Sequence, residues 1–181
     1  MNPQSLPPNV TAQLQAHIRD IPDFPQPGIL FRDITPLLGD AATLRLTIDQ
    51  LAVPLQGVPV DYIVGIESRG FLFGMPLAYR LGTGFVPVRK AGKLPHTTLA
   101  ADYTLEYGTN VLEVHADAVQ PGQRVVIVDD LLATGGTAAA TVALMRQLGA
   151  QVVGLAFVIE LAALGGRIKL ANYPVHALLT Y

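Results

Sequence analysis

The sequence predicts an α/β protein with a central, mostly parallel β-sheet flanked by helices. Short apolar segments with strand character alternate along the chain with longer segments of helical periodicity. Three of the strand-like segments (62–66, 125–128 and 152–159) are almost unbroken apolar runs, which is typical of parallel strands covered on both faces. No repeat, low-complexity segment or linker divides the 181 residues, so we expect a single domain, 1–181.

The first 33 residues show no strong helix or strand pattern. Residues 11–19 show weak helical periodicity, and 21–33 contain three prolines and a glycine, which favours an ordered loop. Residues 41–53 place apolar side chains on one helical face. A short buried strand is expected at 62–66, followed by a turn and a helix that ends near Leu81.

The second half alternates strands and helices around one long irregular segment. Residues 89–108 mix Gly, Pro, Lys, Thr and Tyr without periodicity, and loops of this length in a compact domain are usually functional. The other expected elements are strands at 85–88, 111–114, 125–128, 152–159 and 176–179, and helices at 136–148 and 161–169.

Composition excludes several classes of protein. A net charge of −2 argues against electrostatic binding of nucleic acid. There is no cysteine, hence no disulfide framework or thiolate metal site. The chain starts without the features of a signal peptide, and no uninterrupted apolar run reaches the ~18 residues of a membrane span, so we expect a soluble, cytoplasmic protein. Only 14% of residues are charged, against about 25% in typical domains, which indicates extensive burial and is compatible with a subunit interface.

The segment 125–137 is the strongest indication of function. A buried strand leads to Asp129 and Asp130, which we expect at the strand's end, where open α/β sheets bind ligands. The small residues that follow open onto a helix and offer backbone N–H groups to a phosphate; they are Ala133, Thr134, Gly135, Gly136 and Thr137. Adjacent carboxylates accept hydrogen bonds, as a vicinal diol requires. Together these features predict a ribose 5-phosphate site. The alternative, a buried strand followed by a solvated acidic turn and a Gly-rich connector, requires the strand, the aspartates and the small residues to occur together by chance.

Two further segments carry charge and backbone donors. The turn Ser68-Arg69-Gly70 follows a strand and precedes a helix, so its N–H groups lie near the same sheet edge, although a plain turn with a surface arginine fits the pattern too. It is not a nucleotide-binding P-loop, because Phe71 stands where that loop needs lysine. Arg89, Lys90 and Lys93 place three cations at the base of the long loop. They either stabilise a leaving anion or are simply solvated.

The segment 125–137 resembles the phosphoribosyl pyrophosphate (PRPP) motif of the type I phosphoribosyltransferases. Further segments narrow the resemblance to the adenine phosphoribosyltransferases, and it extends from about Ile18 to the end of the sequence. These segments are Phe24-Pro25 with Pro27-Gly28, Phe31-Arg32-Asp33-Ile34-Thr35-Pro36, 68–74, 89–95 and Leu105-Glu106-Tyr107-Gly108. The resemblance implies the type I phosphoribosyltransferase fold, with a small hood built largely from residues 1–36. It also implies the reaction of adenine with PRPP to give AMP and pyrophosphate.

The resemblance implies a role for each segment. Asp129, Asp130 and residues 133–137 would hold the ribose 5-phosphate of PRPP or AMP. Pyrophosphate would be held by Ser68, Arg69, Arg89, Lys90 and Lys93, and adenine by Leu30, Phe31, Arg32 and Leu131. Backbone groups of Leu30 and Arg32 would read the purine edge, while Phe31 and Leu131 sandwich the ring.

The long loop would supply the chemistry of proton transfer. Glu106 would handle the proton of the purine nitrogen, and Tyr103 and Tyr107 would close the loop as a lid that excludes water. Mg²⁺ would arrive with PRPP, without direct protein ligands, and the four histidines show no metal-ligand spacing. Many relatives carry a basic residue where this chain has Ala91, so its pyrophosphate clamp is expected to be weaker. The family also implies a homodimer.

Two alternative functions remain at this stage. One is a phosphoribosyltransferase for another purine base, such as guanine or xanthine. The other is a regulator that senses PRPP without turnover, against which the Glu106 lid and the lack of a basic patch argue.

Overall fold

The computed structural model describes residues 6–105 and 108–181. In chain order the helices and strands are α1 (Pro8–Gln15), β1 (Arg19–Pro22), β2 (Leu30–Asp33), α2 (Thr35–Gly39), α3 (Ala41–Ala52), β3 (Tyr62–Ile66), α4 (Gly70–Leu81), β4 (Gly84–Lys90), β5 (Thr98–Leu105), β6 (Gly108–His115), β7 (Arg124–Leu132), α5 (Gly136–Gln147), β8 (Gln151–Glu160) and β9 (Val175–Thr180). Short 3₁₀ turns cover Val53–Leu55, Ala162–Leu164 and Gly166–Leu170. None of the helices in these ranges is long and apolar enough to cross a membrane.

A seven-stranded sheet in the order β5-β6-β4-β3-β7-β8-β9 forms the centre of the molecule. The five strands from β4 to β9 in this order are parallel, whereas β6 pairs antiparallel with both β4 and β5. The predicted mostly parallel sheet is therefore confirmed. Its central strands are covered on both faces, because consecutive residues of β7 enter opposite cores: Val125 and Ile127 pack on one side, Val126 and Val128 on the other, all fully buried.

Sequence signals account for the ends of the best-predicted helices. The carboxylate of Asp40 accepts a hydrogen bond from the N–H of Thr43 at 2.7 Å and starts α3. Gly82, with φ +68°, ends α4 in the left-handed conformation that favours glycine. The helices expected at 41–53, from the turn to Leu81, and at 136–148 are present within one or two residues of their expected bounds.

Two expectations for the first 33 residues were wrong. The helix expected at 11–19 lies at Pro8–Gln15, since Pro8 is well placed in a first helical turn, and Arg19 already belongs to β1. The expected loop at 21–33 is the end of an antiparallel hairpin, in which β1 pairs with β2 around the proline-rich turn. β1 is largely exposed and β2 is mostly half-buried, so neither strand shows the alternation of buried and exposed residues by which strands are recognised.

Three further expectations are corrected in the second half. Residues 89–108 are not an irregular loop, because Thr98–Leu105 forms β5, an edge strand paired with β6. The helix expected at 161–169 is two 3₁₀ turns, interrupted at Gly165 with φ +65°. Strand β7 continues to Leu132, well beyond the expected end at Val128.

Candidate active site

The two aspartates lie inside strand β7, at the point where its neighbour on one side has ended. Pairing of β7 with β3 stops at Val128 opposite Gly65, whereas pairing with β8 continues to Leu132 opposite Glu160. The expectation that the aspartates follow the strand's end was therefore wrong for β7 itself. Beyond Val128, however, β7 has no partner strand on the β3 side in the described part of the chain, and both aspartates line a cleft at this position.

The two aspartates differ in their ionic partners: Asp130 forms an ion pair with Arg69, whereas a negative charge on Asp129 is not directly paired with a cation among the described residues. The Nε of Arg69 lies 3.0 Å from Oδ2 of Asp130, whose side chain is 6% exposed. Oδ1 of Asp129 accepts a hydrogen bond from the Asp130 N–H at 2.9 Å. Desolvation raises the pKa of Asp129 well above its usual range, and repulsion from Asp130 raises it further. Desolvation also raises the pKa of Asp130, against the opposing effect of Arg69.

The loop 133–137 forms the floor of a cleft with about 590 Å³ of empty space. Gly135 has φ +75° and caps the N-terminus of α5, whose N–H groups are the expected phosphate donors. A Cβ on Gly135 would lie 2.5 Å from the carbonyl oxygen of Gly166. The 3₁₀ turn beginning at Gly166 thus packs directly behind the loop, at a distance that only glycine allows.

An ion pair holds that supporting turn. Arg167 donates through Nε to Oε1 of Glu160 at 2.7 Å and through Nη2 to Oε2 at 2.6 Å, and its Nη1 donates to the carbonyl oxygen of Val175 at 2.8 Å. Sequence reasoning missed Glu160, Gly166 and Arg167. The one available signal was the glycine pair at 165–166, which interrupts the helix expected there.

The turn Ser68-Arg69-Gly70 packs against the aspartate-bearing strand, and the peptide bond that precedes Ser68 is cis. A Cβ on Gly70 would lie 2.7 Å from the carbonyl oxygen of Val128 and 3.0 Å from Oδ1 of Asp129. The absence of a side chain therefore brings the expected pyrophosphate turn and the expected ribose carboxylates into contact.

The expected pyrophosphate cations converge on a carboxylate that the sequence analysis missed. Glu67 Oε2 lies 3.2 Å from Nε of Arg89 and accepts the backbone N–H of Lys90 at 3.0 Å, while its Oε1 lies 2.5 Å from Nζ of Lys93. Burial alone would raise the pKa of Glu67, but these hydrogen bonds outweigh burial and lower it. Arg89 and Lys93 are thus held by an ion-pair cluster, whereas Lys90 joins through its backbone and is exposed.

Of the three expected adenine residues on β2, Phe31 lines a second, apolar cleft. Phe24 lines it too, and the two rings meet edge to face with centroids 5.1 Å apart. Arg69 lines both clefts, with its guanidinium 5.6 Å from the Phe31 ring. Leu131 lines the phosphate cleft instead. Arg69 therefore marks the junction between the apolar cleft and the aspartates.

The side chain of Arg32 serves to hold the hairpin. Its guanidinium carbon lies 3.9 Å from the centroid of the Tyr181 ring, and it also forms an ion pair with Asp20. These contacts join β1 and β2 to the residue that follows β9. Neither Arg32 nor Leu30 is among the residues that line the apolar cleft, and Leu30 is about half exposed.

Of the expected lid residues, only Tyr103 lies in the described part of the chain. It is buried on β5, where desolvation raises the pKa of its phenol and a hydrogen bond with Thr137 opposes the rise. That hydrogen bond joins β5 to the phosphate loop. Glu106 and Tyr107 lie outside the described residues. Within 6–105 and 108–181, no group of three or more His, Asp or Glu side chains is arranged to hold a metal ion.

Comparisons with known proteins give one consistent result. The family model for the phosphoribosyl transferase domain matches residues 46–175. The adenine phosphoribosyltransferase of Thermobifida fusca is 57% identical over 172 residues, covering 95% of this chain and 98% of that protein. The crystal structure of adenine phosphoribosyltransferase from Thermoanaerobacter pseudethanolicus matches with a TM-score of 0.92 and 55% identity, over 94% of this chain and 99% of that one. The enzyme of Saccharomyces cerevisiae, complexed with an imino-altritol bisphosphate and adenine, matches with a TM-score of 0.89 and 46% identity, over 94% and 98% of the two chains.

Proposed function

We propose the reaction of this chain from one premise: it belongs to the adenine phosphoribosyltransferases, within the phosphoribosyl transferase domain family. It transfers the 5-phosphoribosyl group from PRPP to adenine and releases AMP and pyrophosphate, a reaction of purine salvage. One observation supports this proposal: three subsites meet at Arg69. Arg69 belongs to the expected pyrophosphate turn 68–70, pairs with Asp130 in the phosphate cleft, and also lines the apolar cleft.

The ribose 5-phosphate subsite holds the sugar by its two polar ends. Asp129 and Asp130 accept hydrogen bonds from the ribose hydroxyls, and the backbone of residues 133–137 with the hydroxyls of Thr134 and Thr137 binds the phosphate. Because desolvation and mutual repulsion disfavour the ionised pair, hydroxyl donors and a nearby positive charge relieve an unfavourable state. This pair therefore favours a sugar that becomes cationic as the bond to pyrophosphate breaks.

The pyrophosphate subsite combines Ser68, Arg69, Arg89, Lys90 and Lys93. Charge builds up on the departing pyrophosphate, and cations fixed beside it lower the energy of that state. Ala91 adds no charge to this group.

Adenine binds where the apolar cleft on the hairpin meets the phosphate cleft, between Phe31 of the first and Leu131 of the second. Backbone groups of Leu30 and Arg32 read the purine edge, so a 6-oxo purine would leave buried polar atoms unmatched. Glu106 accepts the purine proton as the new glycosidic bond forms, and Tyr103 and Tyr107 exclude water from the sugar cation.

Magnesium fits this donor set as a companion of PRPP. The strained carboxylate pair favours a nearby cation, yet two carboxylates fall short of a complete protein site. When bound, Mg²⁺ would supply charge neutralisation of the pyrophosphate, mainly through substrate and water oxygens. We further propose that residues 1–36 form much of a hood over a single domain, and that the enzyme is a cytoplasmic homodimer.

A panel of purine bases incubated with Mg-PRPP tests the proposed function. AMP is the expected product from adenine, with little GMP or XMP from guanine or xanthine. Efficient GMP synthesis with negligible AMP would assign the chain to another base. PRPP binding by calorimetry without pyrophosphate release from any base would identify a sensor in place of an enzyme.

A further inference from the structure

Glu67 is a buried carboxylate to which the reaction outlined above gives no role. Its side chain is 8% exposed, and it lies directly before the turn Ser68-Arg69-Gly70. A buried carboxylate is costly unless it is paired and hydrogen-bonded. Glu67 satisfies this condition through Arg89, Lys90 and Lys93, which lie 22 to 26 positions further along the chain, so the segment 89–93 is held against the turn.

We propose that Glu67 is a positioning residue that fixes Arg89 and Lys93 for the pyrophosphate group of PRPP. This inference rests on the proposed function. Arg89 is held twice, because its Nη1 also donates to the Lys93 carbonyl oxygen at 3.1 Å. The Lys93 side chain is 47% exposed, so without Glu67 it would sample many rotamers.

The contacts with Glu67 leave both cations able to bind an anion. A guanidinium has five N–H donors, of which the contacts to Glu67 and Lys93 use two; an ammonium has three, of which the contact to Glu67 uses one. Glu67 therefore orients the cations without saturating them. Glu67 also fixes the distance of Arg89 and Lys93 from the turn Ser68-Arg69-Gly70, because Glu67 directly precedes Ser68 in the chain.

The substitution Glu67→Gln tests this role. It keeps the size of the side chain but removes the charge and turns one acceptor into a donor that faces a cation. Calorimetry is expected to show about tenfold weaker binding of Mg-PRPP, the effect of losing a hydrogen bond to a charged group. AMP has no pyrophosphate group and therefore makes no contact with Arg89 and Lys93 in this proposal. The dissociation constant of AMP from the variant should stay within about twofold of the wild-type value.

Glu113→Gln is the matched control. Glu113 lies in strand β6, next to β4, and accepts the Gly92 N–H at 3.0 Å, so it is an acidic residue that contacts the backbone of the same segment, 89–93. Its removal should leave the affinities for both ligands unchanged. Glu67→Asp keeps the charge but shortens the reach, so it should weaken PRPP binding in the same selective way and to a smaller extent. It serves as the test if the Gln variant does not fold.

The outcomes separate this inference from the function on which it rests. Wild-type protein that binds no PRPP would refute the proposed function. Wild-type binding of both ligands, with Glu67 variants that bind PRPP as tightly as wild type or lose PRPP and AMP equally, would refute the positioning role. In the reverse reaction, in which AMP and pyrophosphate give adenine and PRPP, the positioning role predicts that the Glu67 variants have a higher KM for pyrophosphate than wild type and an unchanged KM for AMP.

Discussion

Substituting Gly70 with alanine should separate the pyrophosphate turn from the aspartates. The added Cβ would lie 2.7 Å from the Val128 carbonyl oxygen, and few real Cβ contacts are closer than 3.4 Å. Relief therefore requires a shift of about 0.7 Å (3.4 minus 2.7) between the start of α4 and strand β7. The obstructing atom belongs to the backbone of Val128, a fully buried residue of the central strand β7, so the turn at 68–69 must move instead.

The expected effects follow from this displacement. Overpacking of this kind costs about 1–3 kcal/mol of folding free energy. Misplacing a binding group by about 1 Å costs up to ~10²-fold in rate, so a shift of about 0.7 Å should lower kcat/KM for PRPP by tens of fold. Steady-state kinetics with varied PRPP, together with urea unfolding, measures both quantities.

Two glycines provide matched controls for Gly70→Ala. Gly74→Ala lies one turn further along α4, and its Cβ would meet the Phe85 ring at 2.9 Å, the end of a side chain that can rotate away. It should cost stability with little effect on kcat/KM. Gly39→Ala opens into free space and should be neutral or slightly stabilising. If Gly70→Ala retained wild-type kcat/KM, or if Gly74→Ala lost activity equally, the turn would not depend on this contact.

Three further substitutions test the charges and the lid. The raised pKa of Asp129 means that folding opposes its ionisation, so Asp129→Asn should raise the melting temperature near pH 7 while weakening PRPP binding. That gain should vanish below the ordinary pKa of 3.8, where both states are protonated. Hydrogen bonds from Arg124 lower the pKa of Asp61 to about 2, so its stabilisation is complete above 3.8 and lost as the pH falls towards 2; Asp61→Asn should flatten the urea-derived stability over that interval. Glu106→Gln should lower kcat by about 10²-fold or more with an unchanged circular dichroism spectrum, and wild-type turnover would remove Glu106 from the chemistry.

Burial explains which elements could be predicted from the sequence. Strands β3, β7 and β8 were expected because their residues are covered on both faces and must be apolar. Strands β1, β2 and β5 were missed. Neither β1 nor β2 contains a fully buried residue, and all three are edge strands. Their side chains therefore carry no apolar pattern from which the pairing could be predicted.

The same distinction applies to the candidate site. The phosphate loop and the aspartates stand in one continuous segment, so local spacing predicted them together. Glu67 and Glu160 act through ion pairs with Lys93 and Arg167, and nothing local marks either glutamate as a partner. Contacts of this kind depend on the relative placement of elements, which the order of residues alone does not specify.

The charges on the two sides of the cleft suit a reaction that separates charge. At the sugar end, Asp129 and Asp130 have one paired cation, Arg69, and a sugar that becomes cationic favours the ionised form of Asp129, whose pKa desolvation raises. At the pyrophosphate end, Arg89 and Lys93 surround the single carboxylate of Glu67, and the exposed Lys90 adds a further cation, so positive charge is in excess there. Breaking the bond to pyrophosphate makes the sugar more positive and the leaving group more negative, so each product of the separation faces its opposite charge. In the proposed positioning role, Glu67 holds Arg89 and Lys93 in place before the bond breaks, so the positive side of the site needs no rearrangement as charge develops on the leaving group.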